Sequence, residues 1–302
     1  MKRSIDQDKQ KRLKTIIASL SEPKKPISTD CEIKLASLED VRAVFFDVYG
    51  TILISGAEPM EQKNKDLQYT ALEETFNAWD ISYKNEAPEE GIRLLHEVVA
   101  EVHKQKKAKG KDFPEVDIIS VWRTMLSRLK EGHWIVDYPE EELAEMVTDF
   151  VTRNDQPWLM PHLQEVLEDL TEKKLEIGII SNSQFYTPLT LEALSGKSLE
   201  QMGFDKELLF WSFNEDIAKP SVHFYEIARK KLQSEYSIET HQVLFVGNDM
   251  LNDVYPAQKA GFKTALFGGD KRSLRMREDD NRVKGIEADI QITQLVQILE
   301  CL

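Results

Sequence analysis

Five short apolar runs, each ending at a polar loop and each alternating with stretches of helical periodicity, constrain this chain more than any other feature of it. They occupy residues 41–46, 175–180, 207–210, 242–246 and 263–267 and are rich in Val, Ile, Leu and Phe. A short apolar run without alternation is what a strand buried on both faces requires, and helices between such runs argue for βαβ units. Residues 162–173, 223–233 and 254–260 read as the intervening helices, and 292–299 closes the chain. The expected fold is therefore α/β with a parallel sheet. In an open sheet of this kind ligands bind beyond the carboxyl ends of the strands, so the residues just after each run are the first candidates for a site.

Residues 58–155 break the pattern. Glu, Lys and Gln abound there, apolar residues recur at helical spacing, and strand-like runs are missing. Val98 and Val102, then Ile118, Ile119, Trp122, Met125, Leu126 and Leu129, form helix stripes, while Lys104 to Lys111 with Gly110 reads as a charged loop. Upstream, Leu13, Ile16, Ile17 and Leu20 fit an amphipathic helix before Pro23 and Pro26 end it. The division expected is a basic arm and linker over 1–40, an α/β core from 41–57 plus 156–302, and an all-α insertion over 58–155. A chain of 302 residues has room for two such modules.

Charge and cysteine content narrow the function. A net charge of −14 disfavours binding to a phosphate backbone, so no nucleic-acid partner is expected. The first 26 residues hold eight Lys or Arg against three Asp or Glu, a net of +5, so the remainder carries −19. That basic arm reads as a solvated tail, with an anionic partner or the acidic body as the alternative contact. No apolar run approaches a membrane span and no secretory h-region follows Met1, while Cys31 and Cys301 form no paired motif. A soluble, cytoplasmic protein acting on a small molecule, without a membrane partner, is the expectation; oligomeric state leaves no mark in the sequence.

Four segments at strand ends carry the chemistry. In Asp47-Val48-Tyr49-Gly50-Thr51 a carboxylate leaves a strand into a glycine turn, where it can be exposed and aimed as a nucleophile. Ser181-Asn182-Ser183 offers a hydroxyl and backbone N–H groups to an anionic oxygen. Lys219-Pro220 supplies an ammonium that lets an anionic substrate approach a carboxylate. Gly247-Asn248-Asp249-Met250-Leu251-Asn252-Asp253 gathers acids directly after a strand. Singly, each is ordinary turn or surface chemistry.

Together, and in this order, they resemble the four motifs of the haloacid dehalogenase-like (HAD) hydrolase superfamily. The 134-residue gap between Asp47 and Ser181 falls where that family inserts a helical cap. The resemblance covers residues 41–302 and implies a Rossmann-like parallel sheet core with an inserted all-α cap. It implies Asp47 as the nucleophile, Thr51 as the residue holding its loop, and Ser181, Asn182 and Lys219 as further catalytic residues. Tyr49, Gly50, Ser181 and Asn182 would meet the substrate. A weakly held Mg²⁺ would be bound by Asp47, the Tyr49 carbonyl, Asn248, Asp249 and Asp253.

Two positions depart from the family's phosphatases. Tyr49 stands where they carry a second Asp as general acid, and a phenol with a pKa near about 10 exchanges protons poorly at neutral pH. Asn248 replaces the first carboxylate of the fourth motif. The Tyr resembles the 2-haloacid dehalogenases, whose halide needs no proton; the length of the segment 247–253 resembles the phosphatases. No Arg occurs between Asp47 and Arg93 to serve a haloacid carboxylate, Tyr225 reads as helix core, and Arg123 as an exposed helix residue. The leading expectation is an Mg²⁺-dependent phosphatase working through an aspartyl-phosphate. A carbon–halogen hydrolase and a degenerate binding protein are the alternatives. His96, His103, His133 and Trp134 of the cap read as surface or core residues, with a place facing the substrate as the alternative.

Overall fold

Each of the five runs becomes a strand of one sheet. The structure, a computed structural model, describes residues 6–55 and 65–302. In chain order the strands are β1 (Ala43–Phe46), β2 (Leu53–Ile54), β3 (Trp158–Leu159), β4 (Glu176–Ser181), β5 (Leu209–Trp211), β6 (Val243–Gly247), β7 (Lys263–Phe267) and β8 (Ile290–Ile292). Six of them form a parallel sheet in the order β5-β4-β1-β6-β7-β8. The chain moves outward from β1 to one side, then returns to build the other, so the strand order reverses at the middle. That reversal opens a crevice at the carboxyl ends of the central strands. β1, flanked on both sides, is wholly buried, which is why its sequence is apolar without alternation.

The small antiparallel pair of β2 and β3 joins the two segments that flank the helical insertion, Leu53 against Leu159 and Ile54 against Trp158. The run at 207–210 is divided: Lys206–Leu208 forms a 3₁₀ turn capped by Asp205, and the strand begins only at Leu209. The closing segment at 292–299 resolves into β8 and a final helix, Gln297–Cys301. The core is α/β as expected.

The chain divides into two compact units: Met1–Glu22, Glu58–Pro157 and Gln184–Leu194 form one, and Pro23–Ala57, Trp158–Ser183 and Ser195–Leu302 the other. The first is helical, and the expected start of the insertion at 58 lies outside the described residues. Its core holds the predicted stripe, with Ile118, Trp122, Met125, Leu126 and Leu129 buried and Ile119 half-buried. Trp122 packs on Phe150 at 5.2 Å between ring centroids. Asp117 caps the Ile118–Glu131 helix by accepting the N–H groups of Ile119 and Ser120.

Two features of this unit differ from the sequence reading. The lysine-rich segment is no loop at its start: the helix Ala87–Ala108 runs through Lys104, Lys106 and Lys107. Lysine is a good helix former, and positive charge in the last turn complements the helix dipole. The arm helix, Gln7–Leu20, buries Leu13 and Ile17 against Leu189 instead of standing as a solvated tail. Lys9 and Arg12 both reach the buried Glu145 carboxylate at 3.2 Å. Among the described residues no helix is long and apolar enough to cross a membrane.

Candidate active site

β1 delivers Asp47 to the carboxyl edge, where its backbone N–H still donates to Val246 of β6 at 2.9 Å. The turn that follows is tight: the N–H groups of Thr51, Ile52 and Leu53 converge on the Val48 carbonyl. Gly50 makes this possible with φ 86°. A β-carbon at Gly50 would come within 2.5 Å of Ser273 Cβ and 2.8 Å of Asn248 Nδ2, so a side chain is excluded there on two counts. Tyr49 lies in the turn, its backbone bridged to Leu53.

Three of the four motifs meet at one ammonium. Lys219 Nζ donates to Asp47 Oδ1 and to Asp253 Oδ1, each at 2.6 Å, and the lysine is only 6% exposed. Its backbone is fixed from the second motif, because Asn182 Oδ1 accepts the Lys219 N–H at 2.7 Å while Asn182 Nδ2 donates to the Lys219 carbonyl. Burial pulls the Lys219 pKa down, but the charges of Asp253 and Asp47 outweigh it and hold the ammonium above its ordinary value. Burial pushes Asp253 up, Lys219 pulls it back, and Asp47 and Asp249 push it up again, to about 7. The arrangement is a buried nucleophile candidate whose charge is tempered by a lysine shared with a second acid.

Other predicted residues play different parts. Ser181, buried at the end of β4, donates to the carbonyl of Asn182, the residue that fixes Lys219, at 3.4 Å. Thr51 Oγ1 donates to Asn248 Oδ1 at 3.0 Å, tying the first motif to the fourth. Tyr225 is core: it is wholly buried against Phe245, and its hydroxyl donates to the Asn252 carbonyl at 2.8 Å. Burial, reinforced by Asp253, Asp47 and Asp249, raises its pKa well above the ordinary phenol value. Arg123, in the helical unit, pairs with Glu140 at 2.9 Å.

Of the five residues expected to hold Mg²⁺, the three of the fourth motif already have hydrogen-bond partners. A hard cation needs free oxygens at about 2.0–2.6 Å. Asn248, 2% exposed, spends its carbonyl oxygen on Thr51 and its amide nitrogen on the Ser273 carbonyl at 2.6 Å. Asp249 accepts the N–H groups of Leu251 and Asn252, the Asn252 amide, and a guanidinium fork from Arg277 with its shortest bond at 2.6 Å. Asp253 Oδ2 takes the Asp249 N–H at 2.9 Å. Among the described residues, no group of three or more His, Cys, Asp or Glu is arranged to hold a metal ion. So bonded, Asn248 and Asp249 do not fit the cation.

Ser273 and Arg277 belong to none of the four segments singled out in the sequence. Both lie on a strap after β7 that runs along the fourth motif: Arg275 N–H donates to the Asn248 carbonyl and Met250 N–H to the Arg275 carbonyl. Ser273 Oγ donates to the Gly50 carbonyl at 3.3 Å. A signal was present, since Arg272, Arg275 and Arg277 crowd a short stretch of an acidic chain just past a strand's carboxyl end.

The model of the haloacid dehalogenase-like hydrolases matches residues 41–261, and the chain belongs to that family. Among solved structures it is similar to a 2-haloacid dehalogenase from Pseudomonas syringae, at 18% identity over 86% of this chain and 97% of that one, with a TM-score of 0.54. It is also similar to an L-2-haloacid dehalogenase from Xanthobacter autotrophicus, at 19% identity over 86% and 97%, TM-score 0.50. A third is a Bacillus subtilis HAD-hydrolase bound to magnesium, at 16% identity over 87% and 98%, TM-score 0.50. At these identities the likeness is one of fold. Among curated proteins none matches.

Proposed function

We propose that the protein hydrolyses a small phosphomonoester by attack of Asp47 on phosphorus. The Asp47–phosphorus bond forms as the ester P–O bond breaks, the leaving oxygen keeps the electron pair, and water then cleaves the aspartyl-phosphate. The observation that carries this reading is Lys219, held by Asn182 and bonded to both Asp47 and Asp253. A fixed ammonium there offsets the repulsion between one carboxylate and an incoming anion. With Tyr49 in place of an acid, the leaving group goes unprotonated, so aryl and acyl phosphates are preferred over alkyl phosphates.

Phosphate release from p-nitrophenyl phosphate, acetyl phosphate and glycerol phosphate tests this. Asp47→Asn is expected to lower release by about 10³-fold or more, as removal of a covalent nucleophile does elsewhere. Release within tenfold of wild type would end the assignment of Asp47. A second reading, displacement of halide from carbon, is favoured by Tyr49 and by the bonded state of Asn248 and Asp249. Chloride release from 2-chloropropionate, with silence on all three phosphates, would select it.

A further inference from the structure

We infer that Arg277 takes over the charge role of a divalent cation at the fourth motif, so that chemistry at Asp47 proceeds without one. The inference rests on the reading of Asp47 as the reacting acid and deepens it, but its main test needs no turnover.

Three carboxylates, those of Asp47, Asp249 and Asp253, share the carboxyl edge. Their burial demands compensating charge, and two side chains provide it. Lys219 serves Asp47 and Asp253. Arg277 serves Asp249 with a fork: Nε lies 3.2 and 3.1 Å from its two oxygens and Nη2 lies 2.6 Å from Oδ2. The hydrogen bond to Asp249 raises the Arg277 pKa further, so the guanidinium is charged at every accessible pH. A carboxylate offers about four lone-pair sites, and Asp249 already meets six contacts from five donor groups. At Asp249 a cation could enter only by displacing a donor already bonded there.

Two further observations show that the guanidinium is placed, not incidental. The strap carrying it is bonded rung by rung to the loop after β6, through Asn248, Met250 and Arg275. Asp270, wholly buried, anchors the strap's base by accepting from Arg272 and from the Ile27 and Arg272 N–H groups. At its end Arg277 has φ 57°, a left-handed conformation that is unfavourable for a residue bearing a β-carbon and persists only where surrounding contacts impose it. Asn248 completes the substitution: where a carboxylate would add a fourth negative charge, a neutral amide bonds Thr51 and Ser273.

Mn²⁺ binding to the full chain, followed by loss of the free-ion EPR signal, with Mg²⁺ as competitor, decides the matter. Wild type is expected to bind no Mn²⁺ at the acidic cluster at millimolar concentration. Arg277→Gln, which frees Asp249, should bind at least about tenfold tighter, and Asn248→Asp added to it tighter by about tenfold again. Arg277→Lys keeps the charge and should stay as weak as wild type. Stoichiometric Mn²⁺ binding by wild type that is lost in Asp47→Asn overturns the proposal, as does equal binding by wild type and Arg277→Gln, or binding by Arg277→Lys as tight as by Arg277→Gln. Should Arg277→Gln not fold, the wild-type titration alone still decides. Absence of phosphate release would sink the substrate reading while leaving the binding result intact; phosphate release abolished by EDTA in wild type would sink this inference while leaving the substrate reading intact.

Discussion

The carboxyl edge of the sheet and the core of the helical unit are buried to the same degree and built on opposite terms. At the edge, Asp47, Thr51, Ser181, Lys219, Asn248, Asp249, Asp253 and Ser273 are all buried, and each has a named hydrogen-bond partner. In the helical unit, Trp122, Met125, Leu126, Met146 and Phe150 are buried by contact alone. A polar network stabilises only when every member is satisfied, whereas an apolar core accepts rearrangement at roughly constant volume. The edge should therefore respond to a substitution through the partners it strands, and the helical unit through the volume it loses.

Lys219→Met is the strongest test of that contrast. The methionine keeps much of the stem volume, so cavity formation is minor, but Asp47 and Asp253 lose their shared cation. Breaking a buried pair costs about 3–5 kcal/mol, and two stranded carboxylates put this variant at or above the top of that range. The sign with pH follows from the acids left behind. Asp253, at about 7 even with Lys219 pulling it down, rises further once that charge is gone, so the stability restored by its protonation is present at acid pH and is lost as pH rises through its raised folded value. Urea unfolding across pH should show the deficit growing from acid to neutral. A uniform deficit, or one below about 1 kcal/mol, would mean the edge is not governed by its charges.

Trp122→Ala is the matching test in the helical unit. Truncating a fully buried aromatic costs about 3–5 kcal/mol through lost transfer energy and an unfilled cavity. The loss should not depend on pH, and hydrogen exchange should quicken first in the helices Ala87–Ala108, Ile118–Glu131 and Leu143–Asp155. Trp122→Phe should recover much of it. Equal loss of protection in β1 and β6 would contradict the assignment of this side chain to a core of its own.

The two regions also differed in how far the sequence disclosed them. β1, β4, β6 and β7 were legible because strands buried on both faces leave continuous apolar runs. β8 was not: it is three residues long, with Gln291 at its centre and an antiparallel bridge to Lys34. The bonding of Asp47, Lys219 and Asp253 could be anticipated because each stands at a strand end in a recognisable segment. Arg277 was marked only by the crowding of Arg272, Arg275 and Arg277, and its pairing with Asp249 was not legible because the strap is specified by side chain to backbone bonds at Asp270 and Ser273 that leave no periodicity. The arm helix was visible as a stripe of Leu13 and Ile17, but what it packs on, Leu189, belongs to a segment whose place in the helical unit no local pattern reveals.

The smallest effect separates two ion pairs that look alike. Arg93 makes bonds of 2.7 and 2.8 Å to both Glu90 oxygens and a third, of 2.8 Å, to Glu97, a geometry as good as that of Arg277 on Asp249. Its side chain is 58% exposed, however, against 26% for Arg277, and neither glutamate is buried. Water solvates all three groups as well after the pair is broken as before, so Arg93→Ala should cost less than about 1 kcal/mol, a shift of a few degrees at most in Tm. Added salt should shrink even that, since exposed charges are screened within about 10 Å at 0.1 M ionic strength. A Tm drop as large as that of Lys219→Met would show that bond geometry, not burial, sets the worth of charge in this protein, and the contrast between its two regions would fail.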